Sequence, residues 1–316
     1  MHVALYFHSR LPVPGYGGTQ RVVVWLARGL AELGHQVTLI APSGSRVPEA
    51  TLVEFAPADP SRAGFDLGRL VPDRVDIVHA HARLPTPIHR PHVLTLHGNR
   101  RHSKSADPNV IFLSADHARR HGGSAFVYNG VDPSDFVYRT NKANFDLFLG
   151  RLHSAKGYRW AIEGAKLAGK RLVVAGGWRP SLRPSLRFVG SVDGQRKAAL
   201  LANARCLWMP ALWDEPFGLT LVEAMVSGTP VLGTRRGALP EIVSPDVGAL
   251  ADTLDELVLL RQTVEQRDPA ACRARAERWF SHRSMAQEYV RMYQHYLESS
   301  RLPDGRLIPK RPDPGL

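Results

Sequence analysis

The sequence has few cysteines and no long apolar runs, which excludes several classes of protein. Its two cysteines, Cys206 and Cys272, are too few for a disulfide framework or a sulfur-ligated metal site. Both lie in apolar or helical stretches, so we expect packing residues. No apolar run reaches the length of about 18 residues that a membrane span needs. The N-terminus shows no basic region followed by an apolar core and a cleavage site. We therefore expect a soluble, globular, cytoplasmic protein.

The sequence also lacks the signatures of three kinds of ligand site. Its first glycine-rich loop is not a G-x-G-x-x-G fingerprint, which argues against a dinucleotide cofactor. His79 and His81 form an H-x-H pair without a third metal ligand nearby in the sequence. No stripe of basic residues interleaved with aromatics is present. We therefore predict no cofactor, no metal ion and no nucleic-acid partner.

The chain carries an excess of positive charge. It has 41 Lys and Arg against 29 Asp and Glu, a net charge of +12. Such a field attracts polyanions without identifying which one. The candidates are nucleoside diphosphates, anionic lipid headgroups at the inner membrane face, and nucleic acid. The alternative is solvated surface charge, because many of the arginines lie in turns and in the tail.

Apolar runs alternate with helical patterns along the chain, and 316 residues with 44% apolar content favour two domains. A strand, a glycine loop and a helix occupy residues 2–33, and a strand follows at 36–40. This βαβ unit places its loop at the carboxyl end of a parallel sheet, where such folds bind ligands. Gly17 and Gly18 in the loop allow close approach of a phosphate or sugar. A tight turn is the alternative.

Further buried strands are predicted at 75–80, 93–97, 110–113 and 125–128. Prolines between the first two leave little room for a crossover helix. His97, followed by Gly98, ends a strand at the ligand-binding edge. Its imidazole either hydrogen-bonds a sugar hydroxyl or phosphate, or caps the strand end.

A second set of alternating elements follows a polar stretch at 139–144, which we take as the linker. Arg151 and Lys156 come after its first strand and flank a short loop with a helix behind it. Two cations at the carboxyl end of a strand suit a diphosphate, because Arg can donate hydrogen bonds to two of its oxygens at once and Lys acts as a point charge. A basic turn is the alternative. Later strands are predicted at 171–175, 186–190, 205–210 and 229–233, and later helices at 193–203, 252–266, 269–280 and 284–297.

The stretch 209–237 contains two carboxylates eight positions apart, Glu215 and Glu223. Pro216 and Gly218 place Glu215 in a loop that can turn backbone N–H groups toward a polyhydroxy ligand. Glu223 lies in the first turns of a helix, where it fits a capping box with Thr220. Alternatively, Glu223 accepts hydrogen bonds from a ribose near the positive helix end that favours phosphates. The residues alone leave both alternatives open.

The segment E-P-F-G-L-T-L-V-E-A-M-V-S-G-T-P-V, with its E-x7-E spacing, resembles the signature of the retaining glycosyltransferases of family 4. The segments G-G-T-Q-R-V-V, T-L-H-G, N-G-V-D and G-R-L-H-S-A-K-G are similar to other parts of that family. The resemblance covers nearly the whole chain and is strongest over 150–243. It implies an α/β fold of GT-B type, with two Rossmann-like domains facing an interdomain cleft.

The resemblance also implies boundaries and roles. Residues 1–139 would form a shortened acceptor domain, 140–280 the nucleotide-sugar donor domain, 281–300 a crossover helix and 301–316 a flexible tail. Arg151 and Lys156 would neutralise the leaving diphosphate, while Glu215 orients the sugar. The implied catalytic residues are His97, Arg151, Lys156 and Glu215. The implied donor-binding residues are Gly17, Gly18, Phe188, Val189, Phe217, Gly218, Leu219, Thr220 and Glu223.

The resulting prediction is a retaining hexosyltransferase. It would move a hexose from a nucleoside diphosphate sugar, with a UDP-sugar as the first candidate, to the hydroxyl of a glycan, a lipid-linked acceptor or a small molecule. No divalent ion would be required, because the basic side chains can stabilise the leaving group. Two alternatives remain open: a GT-B epimerase or phosphorylase-like enzyme, and a non-catalytic basic protein that binds nucleotide sugars or nucleic acid.

Overall fold

The structure, a computed structural model, describes residues 1–13, 15, 17–57, 60, 65–100 and 108–307. The chain divides into two compact units. Unit 1 comprises Met1–Gly130 together with the described residues 282–307, and unit 2 comprises Val131–Ser281. The first division therefore falls at residues 130 and 131, nine positions before the boundary that we placed at residue 139. Within the predicted tail, residues 308–316 lie outside the described residues.

Unit 1 is built on a six-stranded parallel sheet with the strand order β3-β2-β1-β4-β5-β6. Its strands are β1 His2–Tyr6, β2 Gln36–Pro42, β3 Thr51–Phe55, β4 Ile77–Ala80, β5 His92–Thr95 and β6 Val110–Ile111. Because these strands are parallel, the segments that follow β1, β4 and β5 meet at one edge of the sheet. That edge is where open α/β sheets bind ligands.

The helices of unit 1 are α1 Gly18–Glu32, α2 Ala115–Arg120 and, from the end of the chain, α9 His282–Ser299. Helix α9 packs closely on α1 at Gly29. A Cβ atom at Gly29 would lie 2.6 Å from the carbonyl oxygen of His282 and 2.9 Å from the Ala286 Cβ. Glycine at this position therefore permits the close contact between the two helices, which ties the end of the chain into unit 1.

Two expectations about unit 1 have different outcomes. Residues 81–91, all of which are described, contain no helix, so the prediction of a connection without a crossover helix is confirmed. The predicted strand at 125–128 is wrong, because Phe126 makes only an isolated bridge to Phe112. The apolar character of this run reflects burial of an irregular segment, since Val127 is fully buried. Strand β3 and helix α2 lie in segments where the sequence analysis predicts no element.

Unit 2 contains a second six-stranded parallel sheet with the order β12-β11-β10-β7-β8-β9. Its strands are β7 Asp146–Leu149, β8 Leu172–Ala175, β9 Leu186–Phe188, β10 Leu207–Met209, β11 Val231–Thr234 and β12 Gly248–Ala251. Its helices are α3 Tyr158–Leu167, α4 Gly194–Asn203, α5 Leu219–Val226, α6 Leu239–Ile242, α7 Leu254–Val264 and α8 Pro269–Phe280. Strands β7 and β10 are neighbours, so the segments after them lie side by side.

A buried ionic network holds the sheet of unit 2 to helix α7. Arg261, which is 0% exposed, donates two hydrogen bonds of 2.6 Å from Nε and Nη2 to the Asp146 carboxylate. Trp208 donates from its indole to the same carboxylate at 2.9 Å. These contacts join β7, β10 and α7. Cys206 and Cys272 are also buried, so their expected role in packing is confirmed.

Candidate active site

The loop after β7 lies against the end of β10 because residue 157 is a glycine. Gly157 has φ +70, in the left-handed region that glycine favours. A Cβ atom there would lie 1.7 Å from the carbonyl oxygen of Pro210, so no other residue fits without a backbone shift. The close approach brings Lys156, which directly precedes Gly157 and α3, to the loop that follows β10.

Lys156 and Glu215 form a direct ion pair at this junction. The ammonium of Lys156 lies 2.6 Å from Glu215 Oε2. The indole of Trp213 donates to the same oxygen at 2.8 Å, and Lys156 Nζ lies 4.9 Å from the centre of the Trp213 ring. Both charged residues are predicted from the sequence, but Trp213 is not, because no pattern marks it beyond its position two residues before Glu215.

The backbone of Glu215 is fixed by the segment after β11. Gly237 has φ +57, and a Cβ atom there would lie 2.4 Å from both the backbone nitrogen and the carbonyl oxygen of Glu215. The Ala238 N–H donates to the same carbonyl at 2.9 Å. Glu215 itself is only 8% exposed. The loop therefore holds this carboxylate in a defined place.

Helix α5 begins at Leu219 without a side-chain cap. Gly218 occupies the N-cap position with φ +90, and no side chain there accepts a backbone N–H. Of the two alternatives left open for Glu223, the capping box with Thr220 is therefore wrong. The reason is that Gly218, in a left-handed conformation, occupies the N-cap position and the helix begins at Leu219. Thr220 therefore lies inside the helix, where its hydroxyl cannot act as the N-cap. The positive end of α5 remains available to an anion.

Glu223 instead pairs with a lysine from another helix. Lys197 on α4 lies 2.6 Å from Glu223 Oε1, and both residues are buried, at 8% and 4% exposure. Lys197 is not among the residues predicted from the sequence. A signal was present, because Lys197 lies on the same face of α4 as the buried Leu201 and a lysine on an apolar face requires a partner.

The remaining predicted residues of unit 2 contribute less through their side chains. Phe217 is 2% exposed and its ring packs edge-on against Phe280 at 5.8 Å, so only its backbone can reach a ligand. Val189 already uses its backbone groups: its N–H donates to Val174 at 3.0 Å and its carbonyl accepts from Arg196 at 3.1 Å. Phe188 is half-buried and Arg151 is exposed.

The other predicted residues belong to unit 1. Gly17 and Gly18 form the start of α1, and a Cβ atom at Gly17 would lie 2.5 Å from Val13 Cγ1, so this helix start also needs a small residue. His97 lies two positions beyond the end of β5. Its Nε2 is 2.9 Å from His81 Nδ1. Burial lowers the pKa of His97 to about 3, so the ring is neutral at pH 7.

The described part of the chain contains neither a cluster of metal-ligating side chains nor a membrane-spanning helix. Among these residues, no group of three or more His, Cys, Asp or Glu side chains is arranged to hold a metal ion. None of the described helices combines the length and the apolar character that crossing a bilayer requires.

Comparison with known proteins agrees with these features. The model of Glycosyltransferase Family 4 matches residues 16–120, and the model of Glycosyl transferases group 1 matches residues 146–266. The chain belongs to glycosyltransferase family 4. A phosphatidyl-myo-inositol mannosyltransferase of Mycobacterium leprae is 35% identical to it over 119 residues, which cover 34% of this chain and 31% of that relative. The chain thus spans about a third of the length of this relative.

Solved structures extend the similarity to the whole fold of this family 4 protein. AviGT4, a glycosyltransferase involved in avilamycin A biosynthesis, has a TM-score of 0.78 and 28% identity, covering 96% of this chain and 99% of that one. Anabaena Alr3699/HepE in complex with UDP-glucose has a TM-score of 0.64 at 17% identity, covering 93% and 99%, which shows the fold alone. The predicted α/β fold with two Rossmann-type domains of GT-B class is confirmed.

Proposed function

We propose that this family 4 protein transfers a hexose from a nucleoside diphosphate sugar to a hydroxyl acceptor, with retention at the anomeric carbon. The contact between Lys156 and Glu215 carries the proposal. It joins the loops after β7 and β10 at 2.6 Å, at the sheet edge where parallel α/β folds bind ligands. A cation that can bind a diphosphate thus lies next to a carboxylate that can accept a hydrogen bond from a sugar hydroxyl.

The proposed chemistry follows from where charge develops. Breaking the bond between sugar and phosphate leaves negative charge on the diphosphate, and its stabilisation is the largest protein contribution. Lys156, Arg151 and the uncapped start of α5 supply positive charge to it. The diphosphate takes the place of Glu215 as the partner of Lys156. Glu215 then accepts hydrogen bonds from the sugar, and it is not assigned as a nucleophile.

The acceptor proton passes to the leaving phosphate in this proposal, on the same face of the sugar, which gives retention. In this proposal Lys156, Arg151 and the start of α5 stabilise the leaving diphosphate in place of a divalent ion, so no such ion is required. Glu223 accepts hydrogen bonds from the ribose, while Lys197 holds its carboxylate beneath the start of α5 at 2.6 Å. The donor proposal is supported by the UDP-glucose complex of the Anabaena protein, and a UDP-sugar is the first candidate. The acceptor is a hydroxyl of a glycan, a lipid-linked molecule or a small molecule.

The proposal is tested by turnover of UDP-sugars in the parent and in Lys156→Ala. Removal of one charge from the leaving-group site lowers kcat by about a hundredfold or more. Lys166→Ala is the matched control, because Lys166 lies on α3 with a half-exposed side chain paired to Glu163. Proton NMR of the new glycosidic bond reports the anomeric configuration, and a chelator leaves the rate unchanged. Parental turnover in Lys156→Ala, or an inverted product, overturns the assignment.

A further inference from the structure

A row of histidines lies at the carboxyl ends of β4 and β5 in unit 1. His79 is the third residue of β4 and His81 follows that strand. The ring centres of His79 and His81 are 4.0 Å apart. His81 Nδ1 in turn lies 2.9 Å from His97 Nε2. His97 is one of the catalytic residues that the family resemblance implies, and His81 is its direct hydrogen-bonded neighbour.

The two histidines of β4 differ in how their ring nitrogens are satisfied. His79 has a partner on each side: Tyr293 Oη lies 2.6 Å from Nδ1 and Thr95 Oγ1 lies 2.7 Å from Nε2. His81 is 3% exposed and has one partner, His97. Its Nε2 is buried and makes no hydrogen bond within the described residues. This difference restricts where the protons of His81 and His97 can lie.

A neutral imidazole carries its proton on one nitrogen and accepts on the other. Burial lowers the pKa of both His81 and His97, so both rings are neutral near pH 7. If His97 donated to His81 Nδ1, the proton of His81 would sit on the buried Nε2 without an acceptor. Among backbone groups, buried N–H donors without a partner are rarer than buried carbonyls without one, and a buried ring N–H without an acceptor carries the same kind of desolvation cost. The favoured arrangement therefore has His81 Nδ1–H donating to His97 Nε2.

We propose that His81 is a positioning residue that holds His97 in the Nδ1–H tautomer, so that His97 meets the ligand as a neutral hydrogen-bond donor and not as a base. His97 Nδ1 makes no hydrogen bond among the residues that the structure describes, and the ring is half-buried. In this tautomer the Nδ1–H is the group with which His97 would donate to a ligand oxygen. The nature of that oxygen, a sugar hydroxyl or a phosphate, rests on the proposed function. The tautomer itself does not.

The tautomer is measured directly on the full-length protein labelled with 15N-histidine. Long-range 1H–15N correlation spectra distinguish a protonated from a bare ring nitrogen, and the missing signals in His97→Gln assign the residue. The expected result is a protonated-type shift for Nδ1 of His97 and a bare-type shift for Nε2. The opposite pattern, or an even mixture, overturns the proposal whether or not the protein is a transferase.

Two substitutions at His81 separate positioning from folding. His81→Asn keeps a side-chain N–H that can donate to His97 Nε2, so the His97 tautomer is retained. His81→Phe removes the donor, and the tautomer of His97 is then no longer fixed, because the partner of one ring nitrogen decides which carries the proton. If the donor to His97 matters for turnover, His81→Phe lowers kcat/KM for the nucleotide sugar roughly tenfold, the value of about one hydrogen bond, and His81→Asn restores most of it.

The outcomes of the two measurements are distinguishable. An unchanged His97 tautomer in His81→Phe contradicts the positioning role. If His81→Phe does not fold, the comparison of the parent with His81→Asn still decides, because loss of the Nδ1–H tautomer in His81→Asn also contradicts it. Absence of transfer by the parent refutes the proposed function and leaves the tautomer to be judged from the spectra alone.

Discussion

The buried pair of Lys197 and Glu223 allows a stability prediction with a defined magnitude. Their side chains are 10% and 5% exposed, and Nζ lies 2.6 Å from Oε1. Lys197→Met keeps most of the volume of the stem but leaves the Glu223 carboxylate buried without its cation. Removing one partner of a buried ion pair costs about 3–5 kcal/mol. For a unit of this size 1 kcal/mol shifts Tm by about 2–4 °C, so the Tm of unit 2 falls by roughly 10 °C.

Two further variants make the test specific. Lys197→Met combined with Glu223→Leu removes both charges, so most of the lost stability returns. Thr220→Ala is the matched control on the same helix: the Thr220 hydroxyl does not cap α5, and the change stays within about 0.5 kcal/mol. Urea unfolding followed by circular dichroism and tryptophan fluorescence gives the free energies. A Lys197→Met protein as stable as the parent, or a double variant no more stable than the single one, refutes the reasoning.

Three more predictions follow from burial. Burial lowers the folded-state pKa of His81 and His117 below the ordinary value of about 6.5 for histidine, so their contribution to stability is complete above pH 6.5 and is lost as the pH falls. Below pH 6.5 the free energy of unfolding drops by up to about 1.4 kcal/mol per histidine per pH unit. Equal urea midpoints at pH 7 and pH 5 would contradict this. Arg261→Met leaves the buried Asp146 carboxylate without its cation and destabilises unit 2 by about 3–5 kcal/mol; a urea midpoint like that of the parent argues against the network. Burial raises the pKa of Cys272 to about 12 and also raises that of Cys206. Neither thiol therefore reacts with a disulfide reagent at pH 8 until the protein unfolds. Rapid labelling of the native protein would disprove this prediction.

Much of the fold is predictable from local pattern. The helix predicted at 269–280 agrees with α8, and that at 193–203 differs from α4 by one residue. Buried parallel strands are short apolar runs, which explains why most strands are found and why their ends are overestimated. The segment 125–128 shows the limit of this approach. It is as apolar as a strand, but pairing depends on a neighbouring backbone that the local sequence does not specify.

The sequence predicts residues that belong to the site but does not predict which residues form ion pairs with one another. The spacing of Glu215 and Glu223 and the Arg151 to Lys156 segment are visible in the sequence. The partner of Glu223 is 26 residues away, and the partner of Lys156 is 59 residues away. Within its own helix Glu223 has Thr220 as the candidate partner, because Lys197 lies on a different helix. The actual partner is provided by tertiary packing of α4 and α5.

Calorimetric titration of the protein with UDP and with UDP-sugars is the most direct test of the central claim, that unit 2 binds a nucleoside diphosphate through Lys156. We expect saturable binding in the parent and in Lys166→Ala, and affinity at least roughly tenfold weaker in Lys156→Ala, as loss of a charged hydrogen bond implies. Equal affinity of the parent and Lys156→Ala, or no binding of any nucleoside diphosphate, would contradict the account.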